Sequence, residues 1–312
     1  MASLFRGPTR ETGAALFLND KVQRELARWN RERLRPGLPE PDWELRLARD
    51  HRLLRLEGQF LEALRAEVAA RAAEAPREAG AFVAWFEALK ATGPGQSDPL
   101  FPWLAEEASR EEMRWFLTQE AAGEAGFDDL TAYAQVRMPQ RAKLELARNY
   151  WDEMGRGNPK GMHGPMLDTL VQALKLEPRI ETTVMESLAL ANAMTAMATS
   201  RRYAFHAIGA LGVIELTAPG RSAATAAGLK RLGVSGKQRH YFDLHAVLDV
   251  KHSEAWDREV IGPLVAEDPR RAAAIADGAM IRLECGARCF GRYRAELWAE
   301  APVETREMAA AE

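Results

Sequence analysis

Residues 241–256 read "YFDLHAVLDVKHSEAW", with His245, Asp249 and His252 at offsets of four and seven. An α-helix turns about 100° per residue, so these offsets return to nearly one azimuth and the three polar side chains share a face. Tyr241, Phe242, Leu244, Val247, Leu248, Trp256 and Val260 cover so much of the remaining surface that a largely buried helix is expected. Imidazole and carboxylate groups on the inner face of such a helix are costly unless something pairs with them. Neighbouring arginines are one such partner, and a divalent cation is another.

Outward from this segment the chain is rich in alanine, leucine, glutamate and arginine and poor in β-branched runs, which predicts an all-α fold. Helices are expected over 20–34, 42–74, 78–93, 109–127, 139–154, 164–175, 182–216, 221–231, 235–263 and 268–299. Pro36, Pro39 and Pro41 in "RPGLPEPDW" end the first of them, and Ser109 with its following glutamates suits a helix start. "GRGNPKG" at 155–161 and "TAPGR" at 217–221 read as turns. The linker-like "TGPGQSDPLFPW" at 92–103 suggests an N-terminal helical extension over 1–104, a main domain over 105–300 and a tail over 301–312.

The 312 residues are 47% hydrophobic and 28% charged, with a formal net charge of −3. Basic residues are interspersed with acidic ones, so a nucleic-acid surface is not expected. No run of about 18 apolar residues suggests a membrane span, and the N-terminus lacks a secretory pattern, so a cytoplasmic protein is expected. Cys285 and Cys289, four apart on a predicted helix, read as small buried hydrophobes rather than a disulfide pair.

Two further segments carry candidate donors. Glu153 falls at a predicted helix end, with His163 ten positions later across the glycine-rich loop. Glu215 is the one acidic residue between Tyr203 and Pro219, a setting that calls for protonation, metal, or a base such as Arg201, Arg202 or Arg221. Asp152 and Glu145 read as supporting or surface carboxylates, and His51, His206 and His240 as non-ligands.

The succession "DEMGRGNPKGMH", "GVIELTAPG" with "GLKRLG", and "YFDLHAVLDVKHSEAW" resembles the haem-oxygenase-like diiron oxidases and oxygenases, the iron-containing redox enzyme family. The resemblance covers residues 105–300 and implies a haem-oxygenase-like helical bundle. It also implies metal ligation and catalysis by Glu153, His163, Glu215, His245, Asp249 and His252. A further carboxylate from an earlier helix would be Glu120, preferred over Glu124.

Donors of this kind, without thiolate, suit iron or manganese better than structural zinc, while ligand type alone also admits a catalytic zinc. The resemblance selects two Fe2+ ions with O2 as co-substrate, manganese being the alternative metal. The implied activity is oxidation of a small-molecule substrate, an amino-acid derivative, amine or fatty acid, in a biosynthetic setting. N-oxygenation and oxidative carbon–carbon cleavage are the implied reaction types. Ile214, Leu211, Val247 and Leu248 are expected to keep water from the site. An electron donor and a homodimer are admitted as partners. Competing readings are a non-oxidative iron-storage protein and a metal-free thiaminase-like hydrolase or binding module.

Overall fold

The computed structural model describes residues 19–39, 41–123 and 126–299, whose regular elements are all helices, with no β-strand among them. The helices are α1 Asp20–Leu34, α2 Trp43–Ala72, α3 Ala79–Thr92, α4 Leu100–Glu106, α5 Arg110–Gly123, α6 Phe127–Ala134 and α7 Gln140–Glu153. They continue as α8 His163–Leu174, α9 Met185–Thr199, α10 Ala204–Arg231, α11 His240–Trp256, α12 Gly262–Glu267 and α13 Arg271–Leu297. A π-helical turn, Asp257–Ile261, joins α11 to α12.

Local chemistry accounts for several boundaries. The Asn19 side chain accepts from the Val22 amide to start α1. Ser109 and Glu112 form a reciprocal capping box at the start of α5, through bonds of 3.3 and 2.7 Å.

Two sequence expectations are corrected around the buried α10. The helix expected over 182–216 breaks at Ser200, whose backbone is extended, and a 3-10 turn at Arg201–Tyr203 separates α9 from α10. That turn is tied down from outside: Arg201 donates to the carbonyls of Tyr133 and Val136, and the Tyr203 hydroxyl donates to Glu62 at 2.7 Å. The turn expected at 217–221 does not form, because α10 runs through Pro219 and Gly220 to Arg231. This helix packs against both α11 and α13, and tertiary burial outweighs the proline penalty.

Gly209 permits the crossing with α13, since a Cβ there would stand 1.9 Å from the Ile275 carbonyl oxygen. Leu26, Phe60, Phe86, Leu211 and Ile281 belong to one buried cluster, so the helices of the expected extension share a core with the main body. A second cluster, including Phe116, Leu117, Leu170 and Phe290, adjoins the cavity described below. The tail expected at 301–312 lies outside the described residues.

The expectation of a largely buried α11 is also corrected. Only Asp249, His252 and Trp256 on it are buried, and Val247 is 66% exposed. The helix lies on the outside of the bundle, and its apolar residues are spread over both faces.

Candidate metal centre

Glu153 is the last residue of α7 and His163 the first of α8. The intervening loop reverses tightly: Gly155, Arg156 and Gly157 all have positive φ, and Met154 bridges to Met162. A Cβ on Gly155 would fall 2.3 Å from the Gly161 carbonyl carbon, so glycine is required for the two strands of the loop to meet. The reversal sets His163 Nδ1 2.6 Å from Glu153 Oε2.

α11 supplies the remaining histidines. The His245 ring meets that of His163 edge-on at 4.7 Å, and Glu153, His163 and His245 form one group of potential donors. One and two turns further along, Asp249 and His252 join Glu215 of α10 in a second group. Within each group the donor atoms lie within 4.8 Å of one another. Five of the six side chains are buried, and His245 is half-buried.

Neighbouring groups fix the orientation of these side chains. His245 Nδ1–H donates to the Tyr241 carbonyl at 2.7 Å, which leaves Nε2 as its lone-pair nitrogen. His252 Nε2 donates to Asp152 Oδ2 at 3.2 Å, which is itself held by Arg156, and His252 Nδ1 faces Glu215 Oε2 at 3.4 Å. Asn149 donates to the other oxygen of Glu215 at 2.6 Å. Pro219 has no amide to give to the Glu215 carbonyl, so the helical ladder is interrupted at the turn bearing this carboxylate.

The electrostatics describe a site short of positive charge. Burial, reinforced by Glu215, pushes the Asp249 carboxyl up to about 9. Burial lowers His245 to about 4, with the charge of His163 adding to the effect. For His252 burial opposes protonation, but Glu215 and Asp152 outweigh it and raise the imidazole to about 9. His163 Nδ1, Asp249 Oδ1 and His252 Nδ1 are buried without hydrogen-bond partners among the described residues. Nitrogen and oxygen donors drawn close without hydrogen-bond geometry, and without thiolate, fit iron.

All six residues expected from the sequence therefore come together, in two groups of three. Glu120 falls in neither group; it lies on α5, lines the adjoining cavity and accepts from the Tyr293 hydroxyl at 2.8 Å. Glu124 lies outside the described residues. No described arginine pairs with Glu215: Arg201 and Arg202 are engaged by Tyr133, Val136 and Glu62, and Arg221 donates to Thr217. Glu145 forms an ion pair with Arg148 at 2.9 Å, and His206 lies 3.6 Å from Asp277. Of the expected apolar walls, Ile214 lines the cavity, whereas Val247 points to solvent. Asn149 escaped the sequence reading; its position four residues before Glu153 and four after Glu145, on one inward stripe of α7, is the available signal.

Glu153, Glu215, His245 and Asp249 also line a cavity of about 190 Å3, which extends between α5, α10 and α13. Histidines and carboxylates gathered from several helices into a bundle interior are the arrangement of helical metalloproteins. The chain belongs to the iron-containing redox enzyme family, whose family model matches residues 114–287. That match spans α6 to α12 with most of α5 and α13, and includes all six grouped residues. No curated protein matches the chain. Among the described residues no helix is long and apolar enough to cross a membrane.

Proposed function

We propose that this oxidoreductase is a non-haem diiron oxygenase or oxidase that consumes O2 to oxidise a small molecule. The observation that carries this reading is the pairing of two donor groups, Glu153–His163–His245 and Glu215–Asp249–His252, along one face of α11. Glu153, His163 and His245 would hold one iron, and Glu215, Asp249 and His252 the other. A bound pair of ferrous ions supplies electrons to dioxygen for oxidation of the substrate.

The protein's own share of the chemistry is orientation and exclusion of water. The Tyr241 carbonyl and Asp152 orient His245 and His252 of α11, and Asn149 fixes the rotation of Glu215. Phe116, Leu117, Leu170, Leu190 and Phe242 give the adjoining cavity apolar walls, which keep bulk water from the reacting atoms. An external electron donor completes the electron balance wherever the substrate supplies fewer electrons than O2 accepts.

The test is anaerobic loading with ferrous iron, then exposure to O2 with a panel of amines, amino acids and carboxylic acids. Iron-dependent O2 consumption stimulated by a member of the panel is expected, and its loss in His245→Ala and Glu215→Ala. A protein that binds iron but leaves O2 untouched with every compound is a binding protein, and the proposal then fails.

A further inference from the structure

The cavity that starts at the donor groups leads away from them to a second polar cluster. Six residues beyond Glu215 on α10, roughly 9 Å along the helix axis, stands Arg221. It is joined on the cavity wall by Arg282 of α13, by Glu120 of α5, and by the hydroxyls of Ser222 and Thr225.

Both arginines lack a counter-charge in contact. Arg221 donates to Thr217 Oγ1 at 2.9 Å and its guanidinium stands 5.5 Å from the centre of the Phe290 ring, but it forms no ion pair with a described residue. Arg282 has neither an ion pair nor a hydrogen bond among the described residues. Other arginines of the interior behave differently: Arg33 meets Glu57 at 2.5 Å, Arg65 meets Asp277 at 3.2 Å, and Arg288 meets Glu67 at 2.9 Å.

Burial lowers Arg221 to about 9, the like charge of Arg282 adds to this, and Glu120 opposes it. Both arginines are half-buried, and a guanidinium withdrawn from bulk water with so few partners favours an anion that completes it. Its planar fork matches a carboxylate bidentately.

We propose that Arg221 and Arg282 anchor the carboxylate of the substrate, so that the cavity takes a compact carboxylic acid with its head group turned away from the iron ligands. The proposal rests on the cavity being the substrate chamber of the oxidation inferred above. At this end of the cavity, two arginines against one glutamate, Glu120, leave a single net positive charge, which suits a carboxylate better than a doubly charged phosphate ester. Size limits the remainder: a cavity of roughly 150 Å3 accommodates benzene, so about 190 Å3 suits a short or aryl-bearing chain rather than a long fatty acid.

Calorimetric titration of the anaerobic ferrous protein with butanoate, hexanoate and 3-phenylpropanoate, each beside its neutral primary amide, tests this. At least one acid should bind about tenfold or more tightly than its amide. Arg282→Met should erase that preference while bound iron and the unfolding midpoint stay unchanged, and Arg282→Lys should restore part of it. Arg221→Gln should act in the same direction.

A preference that survives Arg282→Met and Arg221→Gln but disappears on iron removal means that the acid binds the metal directly, and overturns the proposal. Amides binding as well as acids, or no acid binding at millimolar concentration, overturns it too. Should the protein hold no iron, the diiron reading fails alone, because an acid preference dependent on Arg282 is still measurable without metal.

Discussion

Asn149 of α7 donates its side-chain amide to Glu215 of α10 at 2.6 Å, and both side chains are buried. The bond occupies Oε1 and leaves Oε2 facing His252 Nδ1, so it sets the direction in which the carboxylate can serve a metal. Asn149→Leu keeps the volume and removes the donor. Iron affinity is expected to fall about 10- to 100-fold, with stability altered by about 1–3 kcal/mol. Competition against a coloured chelator measures this, and an unchanged affinity would remove Asn149 from the site.

The two donor groups draw on different helices, with α7 and α8 serving one and α10 the other. His163→Ala should therefore lower bound iron from about two equivalents to about one, and Glu215→Ala should do the same through the other group. Protein-bound iron after anaerobic loading and desalting gives the count. Full loading in either variant would exclude that residue as a ligand.

Gly155→Ala tests the loop rather than a donor. The added methyl meets the backbone at Gly161, and the positive φ is strained for any residue with a Cβ. The chain must open where it now brings His163 to Glu153. Iron binding is expected to drop with the far-ultraviolet dichroism unchanged, since α7 and α8 do not need each other's ends to remain helical. Normal loading in this variant would show that the loop tolerates side chains.

Asp257 provides a pH dependence independent of metal. It is buried on the π-helical turn, its Oδ1 lacks a partner among the described residues, and burial with Glu87 nearby pushes it up to about 7. The folded protein then holds a proton that the unfolded chain releases near pH 4, so this residue lowers stability as pH rises from about 4 to 7. The penalty is absent below that window and complete above it. Asp257→Asn should flatten the decline by an amount on the order of a few kcal/mol, read from unfolding midpoints at pH 4.5 to 7.5. Parallel profiles for variant and wild type would refute it.

His245, Asp249 and His252 are legible from helical periodicity and Glu215 from its apolar setting, whereas Glu153 and His163, on either side of a glycine-rich loop, join them only through the family resemblance. Glu215, isolated between Tyr203 and Pro219, is the clearest case. What escaped was decided by contacts between distant segments. Asn149 is an ordinary polar residue on its own helix, and its importance comes from facing Glu215. Pro219 and Gly220 spell a turn locally, yet burial on both sides keeps α10 continuous. Ser200 breaks a helix that composition would extend, because Arg201 and Tyr203 are fastened to the 133–136 segment and to Glu62. Arg221 and Arg282 lie 61 positions apart in sequence and meet only where α10 and α13 pack.

α11 turns Val247 and Val250 to water and buries little besides Asp249, His252 and Trp256. Iron held as proposed would tie the donor groups of α11 to those of α7, α8 and α10, so metal binding would also fasten one wall of the cavity. Amide exchange over 244–254 is expected to quicken on chelation while the middle of α10 stays protected. Iron supply would then govern both the presence of the oxidant and the closure of the vessel that contains it.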